Sequence, residues 1–252
     1  MTDTVVLKLG GSVVTDKSGD CAIDHARITA IASEIAARRA DGIVLIHGAG
    51  SCGHPEARRY RLGEGLTLGN TPGIYHTHAA VCRLNTAIVE TLRTAGLEAL
   101  GLHPLDMGLA ENGRLVAFET GHIEEMINHG IVPVLHGDVV MDRNRGACIV
   151  SGDQLVLYLA RRLKNSRVGL ATDVPGVLKE GAVIPAIDRA GIGAIAIGGS
   201  GNTDVTGGMQ GKIAELLTLA DDGIESNIFH VSKVGAFLDG VDHGGTIVGR
   251  SR

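Results

Sequence analysis

Val5-Val6-Leu7-Lys8-Leu9-Gly10-Gly11-Ser12 decides how this chain is read. A short apolar run, β-branched at its start and stopped by two glycines, predicts a buried strand that ends abruptly. Lys8 sits inside that run. Burying an ammonium without a partner costs several kcal/mol, comparable with the net stability of a domain, so an anionic group is expected where the side chain ends. Glycines let backbone N–H groups approach such an anion with no Cβ in the way, and the Ser12 hydroxyl adds a donor. The stretch therefore reads as a strand end built to hold phosphate.

Outward from it, the same grammar repeats. Thr15-Asp16-Lys17-Ser18-Gly19 is a polar turn with a second lysine. It is not a Walker A loop, because Asp16 stands where glycine should precede the lysine and Lys17 follows the turn instead of opening a helix. Asp24 predicts an N-cap for an amphipathic helix over 25–40, with Ile28, Ile31, Ala32 and Ile35 on its inner face. The next strand, Ile43-Val44-Leu45-Ile46, runs into His47-Gly48-Ala49-Gly50-Ser51-Cys52-Gly53-His54-Pro55. Gly48, Gly50 and Gly53 satisfy G-x-G-x-x-G, and Pro55 suits a helix's first turn. A dinucleotide site, however, wants an acidic residue ending a strand about 20 residues on. There the chain offers the loop Leu68-Gly69-Asn70-Thr71-Pro72-Gly73, so a second anion cradle fits better.

A long helix over 74–95 follows, with Val81, Leu84, Ile88 and Leu92 on one face. His76 and His78 are two apart on it, point in different directions and read as surface or pocket histidines that share no metal. A strand at Glu98 to Leu102, a hairpin around Asn112-Gly113 and a short helix capped by Thr120 come next. Ile131 to His136 and Val139 to Met141 read as strand and hairpin, bent at Gly137-Asp138. Ser151 and Gln154 have capping-box spacing, which puts Gly152 and Asp153 in the first turn of a helix. A further strand, Val168 to Ala171, ends in Thr172-Asp173-Val174-Pro175-Gly176-Val177. The glycine-rich loop 198–212 then feeds a helix bearing Ile213, Leu216 and Leu217. Lys212, near that helix's start, opposes the helix dipole unless a phosphate lies beside it.

Totals narrow the class. The 252 residues are 44 % hydrophobic, enough for one large α/β domain. Aromatics are only 2 % and the net charge is −5, so neither base stacking nor attraction to a polyanion favours nucleic acid as a partner. Cys21, Cys52, Cys82 and Cys148 form no C-x-x-C pair, suggest neither a zinc knuckle nor a disulfide framework, and fit a reducing cytoplasm. No basic-plus-apolar leader opens the chain and no apolar window of about 18 residues occurs, so neither secretion nor a membrane partner is expected. A Ser-His-Asp order, clustered thiols and paired carboxylates are all missing, leaving hydrolytic chemistry without support. Three lysines and three glycine-rich turns at strand ends suit phosphoryl transfer, which asks mainly for positioning and charge neutralisation.

Lys8-Leu9-Gly10-Gly11-Ser12, the loop His47 to Pro55, Ser151-Gly152-Asp153-Gln154, Thr172 to Val177, and Asn202-Thr203-Asp204-Val205-Thr206-Gly207-Gly208-Met209 with Lys212 carry a family resemblance along nearly the whole chain. Together they resemble archaeal-type isopentenyl phosphate kinases of the amino acid kinase superfamily. Cys52 departs from the pattern, where such proteins usually have Phe. The resemblance implies a three-layer α/β/α sandwich around a mostly parallel sheet, as one domain over 1–252. Within it, about 1–165 would form the acceptor-binding and dimerisation lobe and 166–252 the nucleotide lobe. It implies ATP and Mg²⁺ as cofactors, isopentenyl phosphate as substrate and a homodimer. Lys8 and Lys212 would contact the phosphoryl groups, Asp153 would hold both ammonium groups, and Lys17 would stabilise the transition state. Gly10, Gly11, Ser12 and Gly50 would donate to ATP, and Thr172, Asp173, Gly207 and Gly208 would line its site. His54, Ala49, Gly50 and Gly152 would hold the acceptor phosphate, with no protein ligand to metal. A fosfomycin or other phosphonate kinase is the alternative acceptor chemistry, and a non-catalytic nucleotide-binding protein the alternative class.

Overall fold

Alternation along the first strand, Val5–Leu9, sets the layers. Side chains in a strand point to opposite faces in turn. Val5, Leu7 and Leu9 enter one apolar cluster with Ile28, Ile35, Leu84 and Ile88. Val6 enters another with Leu155, Leu159, Ile213 and Leu217. Lys8 shares the face of Val6, so its ammonium is carried toward the second group of helices.

The computed structural model describes residues 4–16, 21–38, 42–163, 166–189 and 208–249. Among these, one sheet runs Ala186–Ile187, Thr246–Val248, Ser226–His230, Arg167–Thr172, Val5–Leu9, Ile43–His47, Val132–His136, Ala99–Gly101. Neighbours pair parallel except Ser226–His230 with Thr246–Val248. Helices His25–Ala37 and Pro72–Thr94 cover one face, and Gly152–Arg162 and Gly208–Asp221 the other, giving the expected α/β/α sandwich. The Asp24 carboxylate accepts the Arg27 N–H at 2.9 Å, as the capping reading requires.

Several local expectations are corrected. Val132–His136 and Asp138–Asp142 do not form a hairpin: the first pairs in the large sheet, and the second pairs antiparallel with Gly146–Val150 in a four-stranded sheet. Thr120 makes no side-chain cap; the Glu119 carboxylate accepts the Gly121 N–H instead, at 2.7 Å. Ser151 does cap, accepting from Gln154 N at 3.2 Å, but the Gln154 amide does not reach back to it. That amide accepts from Leu115 N and donates to Gly113 O, tying its helix to the Asn112-Gly113 hairpin. Pro55 stands sixth in the helix Gly50–Arg59, beyond the first turn. Most consequentially, Cys21 and Cys52 are joined in a disulfide across 31 residues of sequence. Cysteine spacing cannot reveal a bridge made by folding, and the bond fastens the hairpin after the first strand to the glycine-rich helix.

Candidate active site

Two glycine turns, at the ends of adjacent parallel strands, press backbone against backbone. A Cβ on Gly11 would lie 2.7 Å from Gly50 Cα and N, and one on Gly48 would lie 2.6 Å from Gly11 N. Gly50 adopts φ +52°, where L side chains are strained. Gly53 serves a different end, since its Cβ would meet Val81 Cγ1 at 2.5 Å; it lets the helix Gly50–Arg59 lie close on Pro72–Thr94. The fingerprint that looked like a dinucleotide motif is thus explained by two close approaches and one left-handed residue.

Lys8 reaches its anion. Nζ donates to Asp153 Oδ1 at 2.6 Å, with Lys8 5 % and Asp153 8 % exposed. The Lys212 ammonium lies 3.6 Å from the other carboxylate oxygen of Asp153. One acid, in the first turn of Gly152–Arg162, therefore gathers cations from a strand 145 residues away and from the fifth residue of Gly208–Asp221, a helix that begins four residues before Lys212 and not at it. Gly152 makes room for this: a Cβ there would sit 2.9 Å from Lys8 Cε.

The cluster borders a cleft shared by Lys8, Gly11, Ala49, His54, Gly152, Asp153 and Lys212, at the C-terminal ends of the parallel strands. That is where open α/β sheets bind ligands. A second cavity of about 850 Å³, around Arg161, Arg167, Glu225 and His243, contains none of the sequence-predicted residues.

Other predicted residues fare differently. Gly10 N donates to Ala171 O at 2.9 Å, so its N–H is spent on the sheet and cannot serve a phosphate. Gly11 and Ser12 open the one-turn helix Gly11–Val14, whose first N–H groups have no intrahelical acceptor. The Thr172 hydroxyl donates to Val174 O at 2.8 Å and staples the turn that carries Asp173. Lys17 and Gly207 lie outside the described residues, and Gly208 opens its helix.

Two residues that line the cleft had no functional signal in the sequence. Thr77, 3 % exposed, lines the cleft with a hydroxyl that has no hydrogen-bond partner. Asp138 lines it too, and accepts from His78 Nδ1 at 2.8 Å and from Val139 N at 2.8 Å. Donation to the Asp138 carboxylate raises His78 above the ordinary imidazole pKa, against an opposing pull from burial. His47 and His136 are fully buried, and burial pushes them down to about 4 and about 3, so both rings are neutral.

Cations drawn to one carboxylate beside backbone-lined turns define a phosphate-handling α/β protein, and the comparisons agree with that class. The chain belongs to the amino acid kinase family, whose family model matches residues 3–230. More narrowly, it is 42 % identical over 250 residues to the isopentenyl phosphate kinase of Haloferax volcanii, covering 97 % of this chain and 98 % of that one. The isopentenyl phosphate kinase of Methanothermobacter thermautotrophicus is 37 % identical, with 92 % of each chain covered. A crystal structure of an isopentenyl phosphate kinase superposes with a TM-score of 0.83 at 32 % identity, over 97 % of this chain and 99 % of that one. The resemblance read from the motifs is borne out.

Proposed function

We propose that the protein transfers the γ-phosphoryl group of ATP to the phosphate of isopentenyl phosphate, yielding isopentenyl diphosphate and ADP. The observation that carries this reading is the convergence of Lys8 and Lys212 on Asp153, in the cleft that His54 also lines. The names of its relatives support the choice of acceptor.

A phosphate monoester has a second pKa of about 6 and is mostly a dianion near pH 7, so it attacks without a general base. What opposes reaction is charge. Two unit negative charges 4 Å apart repel by roughly 4 kcal/mol at an effective dielectric of about 20. Lys8 and Lys212 offset this, held in place by Asp153, and Lys17 adds to them in this reading. His54 donates a hydrogen bond to the acceptor phosphate together with backbone N–H groups around Ala49, Gly50 and Gly152, and the unpartnered Thr77 hydroxyl is a further donor. Gly11, Ser12 and Gly50 face the ATP phosphates, and Asp173, Gly207 and Gly208 belong to the nucleotide side.

The ammonium groups of Lys8 and Lys212, both at the cleft, suit the negative charge of a triphosphate. Asp153 is already engaged by two lysines, so Mg²⁺ would be held by phosphate oxygens and water rather than by this carboxylate. When bound, the ion neutralises charge on the transferring group. The proposed division gives residues 1–165 the acceptor and the dimer contact, and 166–252 the nucleotide. The proposed setting is a homodimer in the cytoplasm, where the Cys21–Cys52 bond would be an exception to the reduced state usual for thiols; among the described residues no helix is long and apolar enough to cross a membrane.

ADP release from ATP and Mg²⁺ is measured with isopentenyl phosphate, with fosfomycin and with neither. Turnover that depends on isopentenyl phosphate is expected. Turnover with fosfomycin alone would move the assignment to phosphonates, and none with either would leave a nucleotide-binding protein.

A further inference from the structure

Behind the cleft, on the far side of Asp138, three side chains that ligate metals meet. Cys82 Sγ, a nitrogen of His103 and a nitrogen of His136 lie within 4.8 Å of one another. Each comes from a different element: Cys82 from the helix Pro72–Thr94, His103 from the residue before Pro104–Met107, and His136 from the end of Val132–His136. His78 stands one helical turn before Cys82, at the i, i+4 spacing that places two side chains on one face. We propose that this cluster is a zinc site, with Cys82 Sγ, His103 Nδ1 and His136 Nε2 as ligands and water in the fourth position of a tetrahedron.

Hydrogen bonds around the cluster aim the right atoms inward. His136 Nδ1 lies 3.2 Å from the Gly137 carbonyl, which can only accept, so that nitrogen carries the proton and Nε2 keeps its lone pair. Nε2 faces His103 Nδ1 at 2.9 Å. His78 donates from Nδ1 to Asp138 Oδ2 at 2.8 Å and sets its ring beside Cys82, with Sγ 3.3 Å from Nε2 and 3.8 Å from Nδ1. An imidazole that gives one N–H to a carboxylate or carbonyl and turns the other nitrogen inward is the usual outer support of a metal-bound histidine.

The spacing also suits the ion. With Zn–N near 2.0–2.1 Å and Zn–S near 2.3 Å, a tetrahedron puts ligand atoms about 3.3–3.6 Å apart. Cys82 Sγ lies 3.5 Å from His103 Nδ1. The closer contact, His103 to His136 at 2.9 Å, is that of a hydrogen bond between the rings, and the ion would push them apart by a few tenths of an ångström. A thiolate with imidazoles selects a borderline-soft divalent ion over Mg²⁺. Binding is balanced by release of the thiol proton, while the His103 proton moves from Nδ1 to Nε2. Asp138 lines the cleft wall with its Oδ2 3.8 Å from His136 Nδ1, so the metal would fix that wall without entering phosphoryl transfer.

The full-length protein is treated with chelator, dialysed and titrated with Zn²⁺ followed by metal analysis, and in parallel with Co²⁺ followed by absorption. One equivalent of Zn²⁺ is expected, with a sulfur-to-cobalt charge-transfer band and tetrahedral d–d bands. Cys82→Ser should abolish the charge-transfer band, and His103→Gln should weaken binding at least tenfold with circular dichroism unchanged. Cys148→Ser, at the other free thiol, should leave the band intact. Absence of stoichiometric uptake, a band that survives Cys82→Ser, or one lost with Cys148→Ser would overturn the site. None of these readouts depends on kinase activity.

Discussion

Asp153→Asn keeps the shape of the side chain and removes the negative charge that the Lys8 and Lys212 ammonium groups both approach. At 2.6 Å from Lys8 and 3.6 Å from Lys212, the attractions lost are about 6 and 5 kcal/mol at an effective dielectric of about 20. Most of this offsets the cost of desolvating the groups, and taking one partner from a buried pair leaves a net loss of about 3 kcal/mol. For a chain of 252 residues that corresponds to a melting temperature lower by roughly 6 °C. The effect on turnover has a different sign structure. Both lysines keep their charge, so ground-state attraction for the triphosphate persists, while their placement on the transferring group is lost. The expected result is a kcat reduced at least tenfold, about 1.4 kcal/mol or more, with no rise in the KM for ATP. Saturating ATP should also raise the variant's melting temperature more than the wild type's, because bound phosphates replace the missing carboxylate. Melting curves with and without ATP, and initial rates over a range of ATP, test this together. A kcat within twofold of wild type, or an unchanged melting temperature, would refute the role of Asp153 as the anchor of both cations.

His54→Ala is expected to raise the KM for isopentenyl phosphate far more than that for ATP; equal effects in steady-state kinetics would reject His54 as an acceptor ligand. Gly11→Ala places a methyl 2.7 Å from the Gly50 backbone, which cannot give way as a flexible side chain would, so at least about 2 kcal/mol of stability and most activity should be lost. Thermal melting and ADP release measure both. Burial pushes Asp142 up, but N–H donation from Gly113, Arg145 and Asn144 outweighs it and holds the carboxylate at about 2. A depressed carboxylate contributes stability that is present above its unfolded value near 4 and is lost as pH falls toward 2. Asp142→Asn should therefore cost about 2 kcal/mol at pH 7 in urea unfolding, a difference that shrinks to nothing near pH 2. The Cys21–Cys52 bond predicts two titratable thiols, Cys82 and Cys148, in the denatured unreduced protein, and reduction should lower stability by about 3.5 kcal/mol at most. Four thiols without reductant would remove the bridge.

By itself the sequence determined what is local or periodic. Alternation in Val5–Leu9 and Ile43–His47, the Asp24 and Ser151 caps and the Asn112-Gly113 turn all rest on interactions within a few residues, and they define a strand–helix chain with glycine-rich strand ends. From a buried lysine it also required that some anion exist. Which anion was settled only by folding, because Lys8 and Asp153 are 145 residues apart and meet through the pairing of parallel strands and the packing of one helix on them. The same holds for the Cys21–Cys52 bond, for Gly10, whose N–H the sheet consumes, and for Cys82, His103 and His136, which no spacing rule joins. Turn and cap chemistry is written in neighbouring side chains. Charge pairing, disulfide formation and metal ligation depend on distances between remote segments, and the three-dimensional path of the chain alone decides those.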